Sequence, residues 1–108
     1  MNPVLLKTMS DRKCQIILHG RPLEVVEASE LKNFKDVLEK GILASLEKLM
    51  ESYEFLVIEG AGSPAEINLR QTDWANMWVA RAAEAAVILI GDIERGGVFA
   101  QLVGTLEL

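Results

Sequence analysis

Hydrophobic positions in this chain follow two different periods. Short runs rich in β-branched residues come first, at Val4 to Leu6 and at Gln15-Ile16-Ile17-Leu18. Their length and the turn residues around them predict strands. Asn2-Pro3 signals a turn before the first run, Met9 to Lys13 reads as a polar loop, and His19-Gly20-Arg21-Pro22 stops the second run. Leu23 to Ala28 predicts another short extended piece leading into a helix. From Ser29 the period lengthens. Leu31, Phe34, Leu38, Ile42, Leu46, Leu49 and Tyr53 recur every three or four residues, which predicts an amphipathic helix over 29–51 covering one face of a sheet. Ser29 is its expected N-cap and Glu30 suits the first turn. Asp36 and Lys40 offer an i,i+4 ion pair, and Gly41 marks either close packing or a bend.

Two later runs are continuously apolar, Phe55-Leu56-Val57-Ile58 and Ala86-Val87-Ile88-Leu89-Ile90. Unbroken runs of this length predict strands buried on both faces. Between them, Asp73 to Ala83 reads as a short helix, with Asp73 at its start and Trp74, Met77 and Trp78 on one face. The second run leads through Gly91-Asp92-Ile93-Glu94-Arg95-Gly96-Gly97 into an apolar segment, Val98 to Leu106. Strands alternating with helices predict an α/β fold built on a parallel sheet with flanking helices. No linker or internal boundary interrupts the pattern.

At 108 residues the chain has the size of one domain. Half of it is hydrophobic and a quarter charged, as in soluble globular proteins. A net charge of -5 argues against a nucleic-acid surface, which needs clustered Lys and Arg. No apolar run approaches a membrane span, and no signal peptide is recognisable, so a cytoplasmic location is expected. One cysteine, Cys14, excludes an intrachain disulfide and fits a reducing compartment. One histidine, His19, excludes multi-histidine metal sites and disfavours a Ser-His-Asp triad. Cys14 reads as structural and His19 as a surface turn residue.

Candidate chemistry gathers where the two buried runs end. Ligands in open parallel sheets bind outside the carboxyl ends of strands. Glu59 and Asp92 occupy those positions, and acids on adjacent strands roughly 5 Å apart can share one divalent ion or its water shell. Each would equally serve to cap a neighbouring helix or turn, and the pattern alone does not choose. Gly60-Ala61-Gly62 allows close backbone approach to a ligand. Glu66 and Asn68 lie in the loop that follows, and Arg95 beside Gly96-Gly97 suits either an anion or open solvent. Gly60 to Ala65 formally matches the dinucleotide fingerprint G-x-G-x-x-G/A. Pro64 interrupts that turn, however, and no ribose-binding acid stands at a strand end about twenty residues on. The chain contains no G-x-x-x-x-G-K-[ST] phosphate loop. Trp74 and Trp78 fit helix packing better than a stacking platform.

Four stretches together carry a family resemblance: Met1-Asn2-Pro3-Val4-Leu5-Leu6-Lys7, Glu59-Gly60-Ala61-Gly62-Ser63-Pro64-Ala65-Glu66-Ile67-Asn68-Leu69, Asp92-Ile93-Glu94-Arg95-Gly96-Gly97-Val98-Phe99-Ala100 and Gly104-Thr105-Leu106-Glu107-Leu108. In order and spacing they closely resemble cobyric acid synthase, and the second stretch is the most specific. The resemblance places residues 1–108 in the middle of that family's N-terminal synthetase domain. It therefore implies an incomplete P-loop NTPase-like fold similar to dethiobiotin synthetase, with no glutaminase domain. It implies ATP- and glutamine-dependent amidation of corrin-ring carboxylates in cobalamin biosynthesis, on a substrate of the cobyrinic acid a,c-diamide type. Glu59 would be carried over as a Mg²⁺ ligand near the nucleotide phosphates and Asp92 as a second acid at the same edge. Gly60, Ala61, Gly62, Ser63, Glu66, Asn68 and Arg95 would face nucleotide or corrinoid. No catalytic residue is assigned.

The departures bear on activity. The family's phosphate loop precedes this segment and its glutaminase domain follows it. Cys14 and His19 do not occupy the glutaminase motif. Met1 corresponds to an internal methionine, and Leu108 stops just before the next expected strand. Thr8-Met9-Ser10, Glu94 and Ala86 also differ from the usual pattern, which has proline and glycine, aspartate and proline there. Trp74 and Trp78 are unusual as well. The expectation is a fragment, inactive alone, whose uncovered strand edges pair in a homo-oligomer or exchanged dimer. The alternatives are a freestanding nucleotide-binding module completed by a partner chain, or a non-enzymatic interaction module.

Overall fold

A computed structural model describes residues 2–68, 70 and 73–108. Contacts divide the chain into two compact units, Met1–Val57 and Ile58–Leu108.

In the first unit, β1 (Val4–Thr8), β2 (Lys13–Leu18) and β3 (Arg21–Glu27) form an antiparallel sheet in the order β1-β2-β3. All three expected extended pieces are present. Leu6 lies opposite Ile16, and Cys14 lies between Thr8 and Val26, so the pleat puts Leu6, Ile16 and Val26 on one face. Ile16 and Val26 are buried there. His19 and Gly20 close the β2–β3 hairpin with φ of 49° and 78°. Positive φ at both central residues is the type I′ geometry, whose twist matches that of the flanking strands. Pro22 opposes Ile17 on the edge strand β3, where its missing N–H costs no central ladder bond.

The helical pattern begins as a 3₁₀ segment, Ala28–Phe34, and continues as α1, Lys35–Ser52. Helical structure starts one residue before the expected Ser29 cap, so the capping position falls on Glu27. Its backbone is extended, and its N–H donates to Glu30 Oε2 at 3.1 Å. The predicted stripe is the buried face: Leu31, Leu38 and Leu46 are buried, Phe34, Ile42 and Leu49 half-buried, and only Tyr53 is exposed. The expected Asp36–Lys40 pair is not among the ion pairs of the described residues; the helix pair joins Lys35 Nζ to Glu39 Oε1 at 3.8 Å.

Gly41 marks close packing. A Cβ there would stand 2.6 Å from Leu18 Cδ1. His19 sits in the surface turn as expected, but its ring also ties that turn to α1. Its Nε2 lies 3.1 Å from the Gly41 carbonyl oxygen and 2.9 Å from Ser45 Oγ, and that hydroxyl donates to the same carbonyl at 2.9 Å.

The expected parallel sheet does not form among the described residues. Phe55 to Ile58 and Ala86 to Ile90 join no ladder; the described sheet is β1-β2-β3 alone. The helix expected to cover a parallel sheet instead buries its stripe in the first unit with the antiparallel strands. A parallel pair without helices on its faces gains little, since parallel sheets are stable where both faces are covered. Phe55 is 87% exposed, Val57 93%, Ile88 85% and Ile90 86%. Neither a parallel sheet nor a P-loop fold is therefore seen; the class that holds is α/β.

In the second unit, the helix expected over 73–83 is broken. Trp74–Trp78 forms a π-type turn and α2 spans only Val79–Ala82. Asn76, at φ -112° and ψ -110°, leaves helical geometry inside the π-type turn. Asp73 does not cap; its carboxylate takes the Asn76 side chain instead. Trp74 is buried, as its packing role required. The closing apolar segment is α3, Val98–Glu107, with Phe99, Val103 and Leu106 exposed along one side. No helix of the described residues is long and apolar enough to cross a membrane.

Leu38 is fully buried within the stripe. Leu38→Ala is expected to destabilise the first unit by about 2–5 kcal/mol, read as a lower denaturant midpoint by circular dichroism.

Candidate functional site

The Glu59 segment opens the second unit. Glu59 is exposed, and among the described residues its carboxylate takes no hydrogen bond or ion pair. The two glycines after it meet different demands. Gly62 has φ of 67°, a conformation costly for any residue with a Cβ. Gly60 is needed for space, because a Cβ there would stand 2.5 Å from Asn76 Oδ1.

That contact exposes a residue the sequence pattern did not single out. Asn76 Oδ1 accepts the Ala61 N–H at 3.1 Å, and Asn76 Nδ2 donates to the Ala61 carbonyl at 2.7 Å. The same Nδ2 lies 3.0 Å from both Asp73 carboxylate oxygens. One carboxamide thus grips both polar groups of a single peptide residue in the glycine turn. Its orientation follows from the partners: only the amide oxygen can accept from Ala61 N–H, and only the nitrogen can donate to the carbonyl and the carboxylate. The available signal was the Asp-x-x-Asn spacing from Asp73 to Asn76, but a helical reading puts Asn76 on a regular turn and hides it.

The loop beyond is a chain of tight turns. Ser63 Oγ accepts the Ala65 N–H at 3.2 Å, Ser63 O accepts the Glu66 N–H at 3.3 Å, and Ala65 O accepts the Ile67 N–H at 2.9 Å. Ser-initiated turns of this kind fix a backbone without a sheet. Glu66 and Asn68 are exposed. Among the described residues no helix opens directly after the glycines, so the strand–turn–helix context that a dinucleotide fingerprint needs is not seen there.

Asp92 is engaged locally. Its Oδ1 accepts the Glu94 N–H at 3.0 Å, and its Oδ2 lies 3.3 Å from Arg95 Nε. The turn-capping alternative is therefore what Asp92 does in this conformation, and Arg95 pairs with it instead of standing alone. Both side chains are exposed, so the pair contributes at most about 1 kcal/mol and is readily exchanged for another partner. Among the described residues no three His, Cys, Asp or Glu side chains group to hold a metal ion. Either carboxylate by itself would suit Mg²⁺, which usually keeps several waters and takes one or two protein carboxylates plus substrate phosphates.

No protein-family model matches the sequence, and no solved structure matches it. Cobyric acid synthase of Anoxybacillus flavithermus is 55% identical to it over 109 aligned residues, which take in the whole of this chain and 22% of that protein. The chain thus spans about a fifth of the length of the curated relative it matches. The resemblance read from Glu59 to Leu69 and its companion stretches is borne out: from end to end, this chain is similar to a segment of cobyric acid synthase.

Proposed function

We propose that these residues serve ATP- and glutamine-dependent amidation of corrin-ring carboxylates, as the middle part of a synthetase domain. The supporting observation is the 55% identity to a cobyric acid synthase along the entire chain. In this reading ATP phosphorylates a substrate carboxylate to an acyl phosphate, ammonia released from glutamine attacks its carbonyl carbon, and inorganic phosphate leaves. Mg²⁺, when bound, neutralises charge on the nucleotide phosphates during the transfer.

The chain's own contribution is an acidic edge. Glu59 offers an unpartnered carboxylate, and Asp92 joins it by exchanging Arg95 for the ion. Gly60, Ala61 and Gly62 bring backbone close to the ligand, and Ser63, Glu66 and Asn68 line the loop toward nucleotide or corrinoid. Arg95, once released by Asp92, is free to meet a phosphate. The 108 residues hold no phosphate loop, and the relative is several times longer. We therefore read the chain as inactive by itself and dependent on a phosphate loop and an ammonia source outside these residues. Free Cys14 agrees with a reducing cytoplasm.

The exposed apolar runs support self-association. Val57, Ile88 and Ile90 exceed what single scattered surface residues explain. The chain is expected to run in light scattering at about twice 11.9 kDa or more; a clean monomer mass would count against pairing of these runs. Calorimetry with Mg²⁺-ATP tests the acidic edge. Glu59→Gln is expected to weaken Mg²⁺-dependent binding about tenfold or more, whereas unchanged binding would remove Glu59 from the site.

A further inference from the structure

The second unit contains one polar constellation that the proposed chemistry does not use. Asn76 makes its side-chain bonds to the turn that carries Glu59, fifteen residues earlier in sequence. Its amide has two N–H donors: one reaches the Ala61 carbonyl, and the other is shared between the two Asp73 oxygens. Donation to a carboxylate holds the amide in place while it grips Ala61. Neutral hydrogen bonds are modest singly, but a charged acceptor strengthens its own. The π-type turn and the departure of Asn76 from helical φ/ψ bring the side chain to this position, and π-type irregularities often accompany function. Gly60 completes the fit, since a methyl group there would displace Asn76 Oδ1. Gly60 and Gly62 flank the gripped residue and Glu59 lies two residues before it, so the backbone that leads from Glu59 is held at one fixed point, Ala61.

We propose that Asn76 is a positioning residue: by clamping the Ala61 peptide against Asp73, it holds the Glu59 carboxylate ready for a divalent cation. This rests on the reading of Glu59 as a cation ligand. The clamp substitutes for a neighbouring strand, since a side-chain amide offers a peptide the same donor and acceptor that a ladder partner would. A turn held in this way presents its acid preorganised, and a preorganised ligand loses less entropy on binding.

The test uses the whole chain, ¹⁵N-labelled, with MnCl₂ as the probe. Hydrogen exchange at the Ala61 amide reads the clamp, and paramagnetic broadening of the Gly60 to Gly62 amides reads cation binding. In the unsubstituted chain Ala61 is expected to be protected, with broadening that Glu59→Gln removes. Asn76→Ala is expected to abolish the protection and weaken Mn²⁺ binding about tenfold. Gly60→Ala, which attacks the clamp from its other side, should do the same, and the double variant should be little worse than either alone. Asn76→Asp supplies a readout that general loosening would not move. Below about pH 4 its carboxylic acid can both donate to the Ala61 carbonyl and accept from the Ala61 N–H, so protection at Ala61 should return relative to Asn76→Ala at the same pH. Unprotected Ala61 in the unsubstituted chain overturns the clamp. Protected Ala61 with unaltered Mn²⁺ binding in Asn76→Ala overturns the positioning role. Protected Ala61 with no broadening that depends on Glu59 shows that the cation reading has failed, and the positioning role falls with it.

Discussion

An amphipathic helix has one apolar stripe, and α1 buries its stripe in the first unit. Leu31, Leu38 and Leu46 lie beneath the surface together with Ile16 and Val26, and the approach is tight enough at Gly41 to leave no room for a methyl group beside Leu18. His19 adds a polar tie from the hairpin to the same turn of helix. The apolar runs at 55–58 and 86–90 join no ladder among the described residues, and Phe55, Val57, Ile88 and Ile90 are exposed. Burying a Val or Ile side chain is worth roughly 1.5–3 kcal/mol, so the exposed runs represent a substantial unrealised driving force for association.

Local pattern carried much of the first unit. β1, β2 and the α1 stripe follow from hydrophobic period alone, because each depends only on which side of an element must leave water. Ladder partners are a different matter. The Phe55 to Ile58 run has the composition of a buried parallel strand, but composition states only that the side chains prefer burial; it does not supply the neighbour. The helix between the two runs failed for a related reason. Period placed Trp74 and Trp78 on one face, and Trp74 is indeed buried, yet the backbone breaks at Asn76 where side-chain bonds to Ala61 and Asp73 compete with helical ones. Such competition depends on a partner fifteen residues away, which no local window contains.

The candidate site was legible as chemistry and only partly as geometry. Glu59 is exposed. Asp92 turns back on its own turn and on Arg95, so the two acids are not equivalent in this conformation. The glycines also divide their work, Gly62 permitting a left-handed residue and Gly60 making way for Asn76.

The proposed role of these residues as the acidic edge of a corrinoid-amidating synthetase can be measured by exchanging the matching segment of the Anoxybacillus flavithermus cobyric acid synthase for this chain and assaying ATP- and glutamine-dependent amidation of cobyrinic acid a,c-diamide. Amidation by the hybrid and its loss on Glu59→Gln are expected. A folded hybrid that still binds ATP yet forms no amide, or one that Glu59→Gln leaves fully active, would contradict that role.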